Sequence, residues 1–290
     1  MVQILADSAC DLSQEEAAAL QVQLIPLHVT LETGEVLRDG IDTDAAVFFP
    51  HLASCKKLPT TSQPSPDLFA EAFDRAKAED KEVVAVLLSS ELSGTFQSAS
   101  IGASMSDYEK VHLIDSGTAS IGEGLLVRLA CALRDKGLDA EHIAAALVAA
   151  KRHLHVIAVI DDLKFLRKGG RLPAAVAVAG GMLGIKPLVT IKDGKVAMAG
   201  KARGLPGAYV AVFKVLEAAG GPAPESPCVG GYTTGLSQME PIQRYIHKEY
   251  PDATLLLDTI GCVIGTHGGP GAFALAFFDG KPDAQAPDKG

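Results

Sequence analysis

The chain has 290 residues, enough for two domains with separate hydrophobic cores. Its formal net charge of -9 argues against nucleic-acid binding, which needs a basic surface to neutralise phosphates. The five cysteines are scattered without a CxxC pair, so neither a disulfide framework nor a metal site is predicted. The first residues lack a signal-peptide pattern, and no apolar run approaches the roughly 20 residues that span a bilayer. We therefore expect a cytoplasmic protein without stable membrane insertion.

Strand-like and helix-like segments alternate in the first half of the chain. The predicted strands are residues 2–6, 83–88, 111–114 and 156–160. The predicted helices are residues 15–20, 44–51, 66–79, 121–136 and 140–153. This alternation predicts a parallel sheet with right-handed crossovers, as in Rossmann-like domains. Residues 59–66 are predicted to be irregular, because their prolines restrict the backbone.

The second half of the chain has a different pattern. Residues 185–191 and 195–199 flank the turn Lys192-Asp193-Gly194, which predicts a β-hairpin. Further strands are predicted at 228–232, 253–257 and 270–278, with helices at 206–219 and 236–249. We expect an α/β protein of two domains. These are a parallel-sheet domain at 1–155 and a mixed α/β domain at 156–290.

Three segments rich in hydroxyl residues and glycine are candidates for ligand binding. They are residues 60–65, 93–95 and 266–271, the last of which contains His267 in a glycine-rich loop. The second segment lies between a strand and a predicted helix, and the start of a helix suits an anion. Ligands also collect at the carboxyl ends of parallel strands. The alternative for each segment is ordinary turn chemistry.

A serine hydrolase is the rival interpretation of the same residues. Ser93, His267 and Asp115 are a possible nucleophile, base and orienting carboxylate, since catalytic triads are defined in space. A nucleophile elbow reads Gly-x-Ser-x-Gly, however, and Glu91 occupies the place of its first glycine. The turn at 168–171, Lys-Gly-Gly-Arg, is expected to be structural.

Several short motifs, in order along the chain, resemble those of the DegV family of bacterial fatty-acid-binding proteins. They are ADSACDL at 6–12, TSQPS at 61–65, LSSELSGTFQSA at 88–99, DS at 115–116, LRKGGR at 166–171, GIKP at 184–187 and THGGPG at 266–271. The resemblance implies a two-domain α/β carrier without catalytic activity or cofactor. It further implies that a long-chain fatty acid is held with its carboxylate on Ser93, Thr61 and His267. The acid would be presented to a separate ATP-dependent fatty acid kinase, which forms an acyl phosphate for phospholipid synthesis.

The residues support such a site on physical grounds. A carboxylate that leaves water must be paired by several donors. Ser62 and the helix-end residues Gly94 and Thr95 add donors to the three side chains named above. Candidate residues for the acyl tunnel are Val176, Val178, Met182, Leu183, Ile185, Phe273, Leu275 and Phe277. Each buried methylene contributes roughly 0.8 kcal/mol.

One departure from the family concerns the kinase. Family members often carry a basic run after the hairpin, but here Lys201-Ala202-Arg203 is followed by Gly-Leu-Pro-Gly. Arg167 and Arg203 are therefore the candidate docking residues.

Overall fold

The computed structural model describes residues 1–173 and 184–280, which form three β-sheets with helices packed on them. The strands are β1 Val2–Asp7, β2 Val22–Ile25, β3 His28–Thr30, β4 Val36–Arg38, β5 Thr60–Ser62, β6 Glu82–Leu87, β7 Val111–Asp115, β8 Leu154–Val159, β9 Ile185–Lys192, β10 Lys195–Arg203, β11 Cys228–Tyr232, β12 Leu255–Thr259 and β13 Phe273–Phe278. The α-helices are α1 Gln14–Ala19, α2 Ala45–Ser54, α3 Pro66–Ala78, α4 Thr95–Ser106, α5 Ile121–Asp135, α6 Ala140–Ala150, α7 Lys164–Lys168, α8 Gly204–Ala218, α9 Glu240–Glu249 and α10 Cys262–Gly268. Short 3-10 helices cover Ser8–Cys10, Lys151–His153 and Leu236–Met239.

The first sheet is parallel, in the order β2-β1-β6-β7, as predicted for the first part of the chain. Strand β6 is buried on both faces from Val83 to Leu87, which explains its uninterrupted apolar sequence. Helix α1 agrees with the helix predicted at 15–20 and is capped by Ser13, whose hydroxyl accepts the Glu16 amide at 3.1 Å. The predicted parallel α/β architecture is confirmed here.

The second sheet is mixed, in the order β10-β9-β8-β13-β11-β12. The prediction that residues 156–160 extend the parallel sheet is wrong. Strand β8 instead lies between β13 and β9 and is antiparallel to both. Strand β13 is buried along its whole length and takes β8 and β11 as neighbours, a pairing between distant segments that local sequence does not encode. Helix α5 contacts β1 and β6 of the first sheet and β11 and β13 of the second. The domain boundary near residue 155 stays a prediction.

The third sheet is small and has the order β4-β3-β5. It overturns the prediction that residues 59–66 are irregular, because Thr60–Ser62 pairs antiparallel with β3, with Thr61 opposite Val29. The prolines on either side favour extended backbone, and three extended residues suffice for an edge strand. This pairing fixes the position of Thr61.

Candidate functional site

A cavity lies at the junction of the three sheets and contains about 1030 Å³ of space between protein atoms, part of it open to solvent. Among the residues that the structure describes, 27 line the cavity, and eighteen of these are Ala, Val, Leu, Ile or Phe. Strand β8 supplies Val156 and Ala158, whereas Ile157 and Val159 between and beyond them pack on the opposite face of the sheet. This follows from the two-residue period of a strand. The cavity wall is therefore largely aliphatic.

The polar lining residues include Thr61, Ser62, Ser93 and His267, from three separate segments of the chain. The Oγ1 of Thr61 lies 2.8 Å from the Nε2 of His267, although the two residues are 206 positions apart. His267 lies in helix α10, which corrects the prediction of a glycine-rich loop at this point. The short helix ends at Gly269, whose φ of +77° suits glycine. The sequence segment 266–271 is thus half helix and half turn.

His267 is held as a neutral imidazole. Burial lowers its pKa from the ordinary value of 6.5 to about 4, and the positive charge of Arg171 lowers it further in the same direction. Its Nδ1 is buried without a hydrogen-bond partner among the described residues, because the ring packs directly against the Cα of Gly169. The Nε2 of this neutral ring is hydrogen-bonded to Thr61. A ligand can take the place of Thr61 in that one hydrogen bond.

Ser93 lies at the start of helix α4 and is braced by its own loop. Its Oγ lies 2.9 Å from the Oγ1 of Thr95 and accepts the Thr95 amide at 3.3 Å. Thr95 is fully buried, and neither Thr95 nor Gly94 lines the cavity. Gly94 packs against Gln63, since a Cβ there would lie 2.8 Å from the Gln63 Nε2. Of the predicted site residues, Thr61, Ser62, Ser93 and His267 line the cavity, while Gly94 and Thr95 support Ser93 from behind.

Two further polar residues line the same part of the cavity and were missing from the predicted site. They are Gln63 and Arg171. Arg171 donates from Nε to the Leu92 carbonyl at 3.1 Å and from Nη1 to the Gly169 carbonyl at 2.7 Å. It therefore ties the loop of Ser93 to the turn that packs on His267. The signal in the sequence is the basic turn at 168–171, for which the prediction favours a structural role.

The expected tunnel residues divide between the cavity and other places. Phe273, at the start of β13, lines the cavity, but Leu275 and Phe277 on the same face of the strand pack instead with helices α8 and α9. Ile185 begins strand β9 and is not a lining residue. Val176, Val178, Met182 and Leu183 lie outside the described residues. The rest of the wall comes from many elements, β8, β9 and α10 among them, through residues that look like ordinary core positions in the sequence.

The arrangement does not assemble the triad of the hydrolase alternative. The Ser93 hydroxyl meets Thr95, and the Nε2 of His267 meets Thr61. Asp115 accepts hydrogen bonds from the Ser90 hydroxyl at 2.5 Å and from the Gly117 amide at 2.9 Å. Within residues 1–173 and 184–280, no carboxylate is bonded to either nitrogen of His267. Base and nucleophile are therefore not coupled.

A pair of buried carboxyl groups lies beneath the loop that carries Ser93. Asp7, at the end of β1, accepts the amides of Ala9 at 2.9 Å and Leu88 at 2.8 Å. Burial raises the pKa of Asp7 to about 7, and burial next to Asp7 and Asp11 raises the pKa of Glu123 well above its ordinary value. Both side chains are completely inaccessible to solvent. Glu123 therefore stays protonated to a higher pH than an exposed glutamate does, and Asp7 fixes the end of β6.

The described ranges contain no group of three or more His, Cys, Asp or Glu side chains suited to a metal ion. They also contain no helix with the length and apolar character needed to cross a bilayer. The candidate docking residues Arg167 and Arg203 are both exposed, on α7 and at the end of β10.

The family model described as "Uncharacterised protein, DegV family" matches residues 1–280. The chain belongs to the DegV family. A DegV domain-containing protein of Caldanaerobacter subterraneus is 30% identical over 280 residues, which cover 97% of this chain and 99% of the relative. Another, from Halalkalibacterium halodurans, is 32% identical over 278 residues, which cover 96% of this chain and 98% of the relative. The resemblance drawn from the short motifs is confirmed over almost the whole chain.

Solved DegV structures have the same fold. A DegV-family protein of Thermus thermophilus, described by its fatty acid binding, superposes with a TM-score of 0.87 at 31% identity, covering 96% of this chain and 99% of that one. DegV of Bacillus subtilis, described as a fatty acid binding protein, superposes with a TM-score of 0.83 at 27% identity. The match covers 96% of this chain and 99% of that one. The predicted α/β fold class is thereby confirmed.

Proposed function

We propose that this DegV-family protein binds a long-chain fatty acid, with the carboxylate on Ser93, Thr61 and His267 and the acyl chain in the aliphatic cavity. The observation that carries the proposal is the meeting of Thr61 and His267 at 2.8 Å in a cavity whose wall is otherwise mostly aliphatic. Solved relatives described as fatty-acid-binding proteins at 27% and 31% identity support it.

The polar side chains of the cavity suit a carboxylate better than an uncharged head group. The hydroxyls of Thr61 and Ser93 are donors, and neutral His267 donates from Nε2 when that nitrogen carries the proton. Arg171 adds a positive charge to the lining of the same cavity. Hydrogen bonds to a charged group are stronger than those between neutral groups, so these donors offset the desolvation of the carboxylate.

The same geometry supports a carrier without catalytic activity. The uncoupled Ser93 and His267 offer no activated nucleophile. The cavity offers aliphatic surface along about 13 Å of chain from Val156 in β8 to Ile160, the residue after it. In this role Ser93 is a hydrogen-bond donor. The protein would act in the cytoplasm, where its five unpaired cysteines remain thiols.

The bound acid would then be presented to a separate ATP-dependent fatty acid kinase for phospholipid synthesis. Arg167 and Arg203 are the docking residues in this proposal, and both are exposed cations available to an acidic partner surface. Arg203→Glu is expected to lower acyl-phosphate formation by the kinase at least tenfold while fatty acid affinity stays within twofold. Equal phosphorylation of wild type and variant would remove the docking assignment.

The binding proposal is tested by comparing ligands that differ only in the head group. Hexadecanoic acid and hexadecanol are titrated against a bound fluorescent fatty acid analogue. We expect the acid to bind at least tenfold more tightly, because only the carboxylate exploits the charge of Arg171. Equal displacement by both would contradict the head-group site, and displacement by neither would contradict lipid binding itself.

A further inference from the structure

The hairpin of β9 and β10 forms one wall of the cavity but is attached to the sheet for only part of its length. Val189, Ile191 and Val196 of the hairpin line the cavity. Strand β8 pairs with β9 from Leu188 to Thr190. Along the described chain no ladder pairing joins β8 to the residues beyond Thr190, and β10 is the edge strand of the sheet. Strand β8 continues to Leu154 but pairs there with β13, so the hairpin tip, defined here as residues 191–196, separates from its neighbouring strand.

The tip is fastened to the loop that carries Ser93. The Ser89 hydroxyl donates to the Gly194 carbonyl at 2.8 Å, a contact between residues 105 positions apart. The Lys195 Nζ lies 2.9 Å from the Glu91 Oε2. Leu92 packs against the apolar cluster that contains Val189, Val196 and Ile191. Hydrophobic packing and two polar contacts thus close the cavity on this side.

The two polar contacts are weak ones. The Lys195 and Glu91 side chains are 59% and 52% exposed, so water and salt screen their attraction. The Ser89 side chain is buried while the tip is closed, but its bond joins two uncharged groups that both bind water once the tip opens, so its net contribution is small. Contacts of this strength hold the tip closed most of the time and permit frequent local opening. Parting the tip from the loop would separate Ile191 and Val196 from Leu92 and expose the aliphatic wall.

We propose that the tip of the β9–β10 hairpin is a gate, latched by Ser89–Gly194 and Glu91–Lys195, through which the acyl ligand enters and leaves. The proposal rests on the function proposed above. It assigns a kinetic role to residues outside the head-group site. Breaking the latch therefore changes the rate of exchange more than the affinity.

A reversible staple across the latch is within reach of a small shift of the turn. A Cβ placed on Gly194 would lie 3.2 Å from the Glu91 Cβ, a few tenths of an ångström short of disulfide spacing. It would also lie 2.7 Å from the Ser89 Oγ at a φ of +74°, so a cysteine here strains the turn, and the oxidised variant is compared only with its own reduced form. We would introduce Glu91→Cys and Gly194→Cys in a Cys55→Ser background, because the other four cysteines are buried. Exchange of 11-(dansylamino)undecanoic acid against unlabelled hexadecanoic acid is followed by stopped-flow fluorescence. Disulfide formation is measured by thiol titration.

The oxidised staple is expected to exchange the probe at least tenfold more slowly than the same variant after reduction, with affinity within twofold. Equal rates in a sample shown to be fully disulfide-bonded would overturn the gate. Failure of the wild-type protein to bind the probe would instead contradict the proposed function. The two failures are therefore distinguishable.

Charge reversal at Lys195 tests the latch independently of the disulfide. Lys195→Glu should speed exchange about 1.5- to 5-fold, the range expected for loss of an exposed ion pair. The swap Glu91→Lys with Lys195→Glu should return the rate to that of wild type. Lys192→Glu is the control, because it changes the charge of the same hairpin while the Glu91–Lys195 pair is kept. An unchanged rate in Lys195→Glu, or equal acceleration by Lys192→Glu, would contradict the latch.

Discussion

The imidazole of His267 packs so closely on Gly169 that a side chain at residue 169 would overlap its Nδ1. This contact gives the turn at 168–171 a role in the site, since a larger residue forces the ring away from Thr61. We expect Gly169→Ala to weaken fatty acid binding at least tenfold in a displacement titration. Gly200→Ala is the matched control, because a Cβ there meets nothing within 4 Å. Equal affinities of the two variants would show that the ring tolerates displacement.

The head-group assignment predicts the effect of removing single hydroxyls. Thr61→Val keeps the shape of the side chain but leaves the His267 Nε2 without its partner, and Ser93→Ala removes the second hydroxyl. Each change should weaken binding of hexadecanoic acid about 5- to 150-fold, which corresponds to the ~1–3 kcal/mol cost of an unpaired buried polar group. Circular dichroism should show an unchanged fold.

The double variant Ser93→Ala with His267→Ala sharpens this test. We expect it to bind the acid more weakly than either single variant, and to lose more affinity for the acid than for hexadecanol, because hydrogen bonds to a charged group are stronger. If acid affinity is unchanged in the double variant, the carboxylate is bound elsewhere.

The buried His267 should make the stability of the ligand-free protein depend on pH. Its pKa is lowered to about 4 in the folded state, so the unfolded chain binds more protons between pH 4 and 6.5. This group therefore makes stability rise with pH across that window. Urea unfolding should show a smaller rise for His267→Gln than for wild type. Parallel curves for the two proteins would mean that the ring is protonated as easily in the fold as in water.

Glu123 should make stability fall as pH rises, the opposite of the effect of His267. Its folded-state pKa is raised well above 4.5, so its protonated form is favoured by folding, and its contribution to stability is lost as pH rises through the folded value. Asp7, with a pKa of about 7, adds to the same trend. Glu123→Gln, which keeps a neutral side chain of similar shape, should lose less stability than wild type between pH 5 and pH 8. A larger loss in the variant would contradict a neutral Glu123.

The sequence alone predicts those elements whose pattern lies within a few neighbouring residues. The parallel strands β1, β6 and β7, the helix α1 and the hairpin of β9 and β10 agree with the prediction. The antiparallel placement of β8 and the strand at Thr60–Ser62 depend on pairing with distant segments, which alternation of residue types does not encode.

The candidate site shows the same limit. Thr61, Ser93 and His267 were predicted because hydroxyl and histidine residues in glycine-rich segments are recognisable. Arg171 was overlooked because its role depends on the Leu92 carbonyl, 79 positions away along the chain. The aliphatic wall was mostly missed because a cavity residue such as Ala158 is indistinguishable in sequence from a core residue.

The most direct test of the account is the identity of what the protein carries. The purified chain would be examined by native mass spectrometry, before and after incubation with hexadecanoic acid, and any bound lipid extracted. The account predicts one fatty acid per chain, released on denaturation and reduced by Ser93→Ala with His267→Ala. A protein that carries no acyl ligand and takes none up when it is offered would contradict the account.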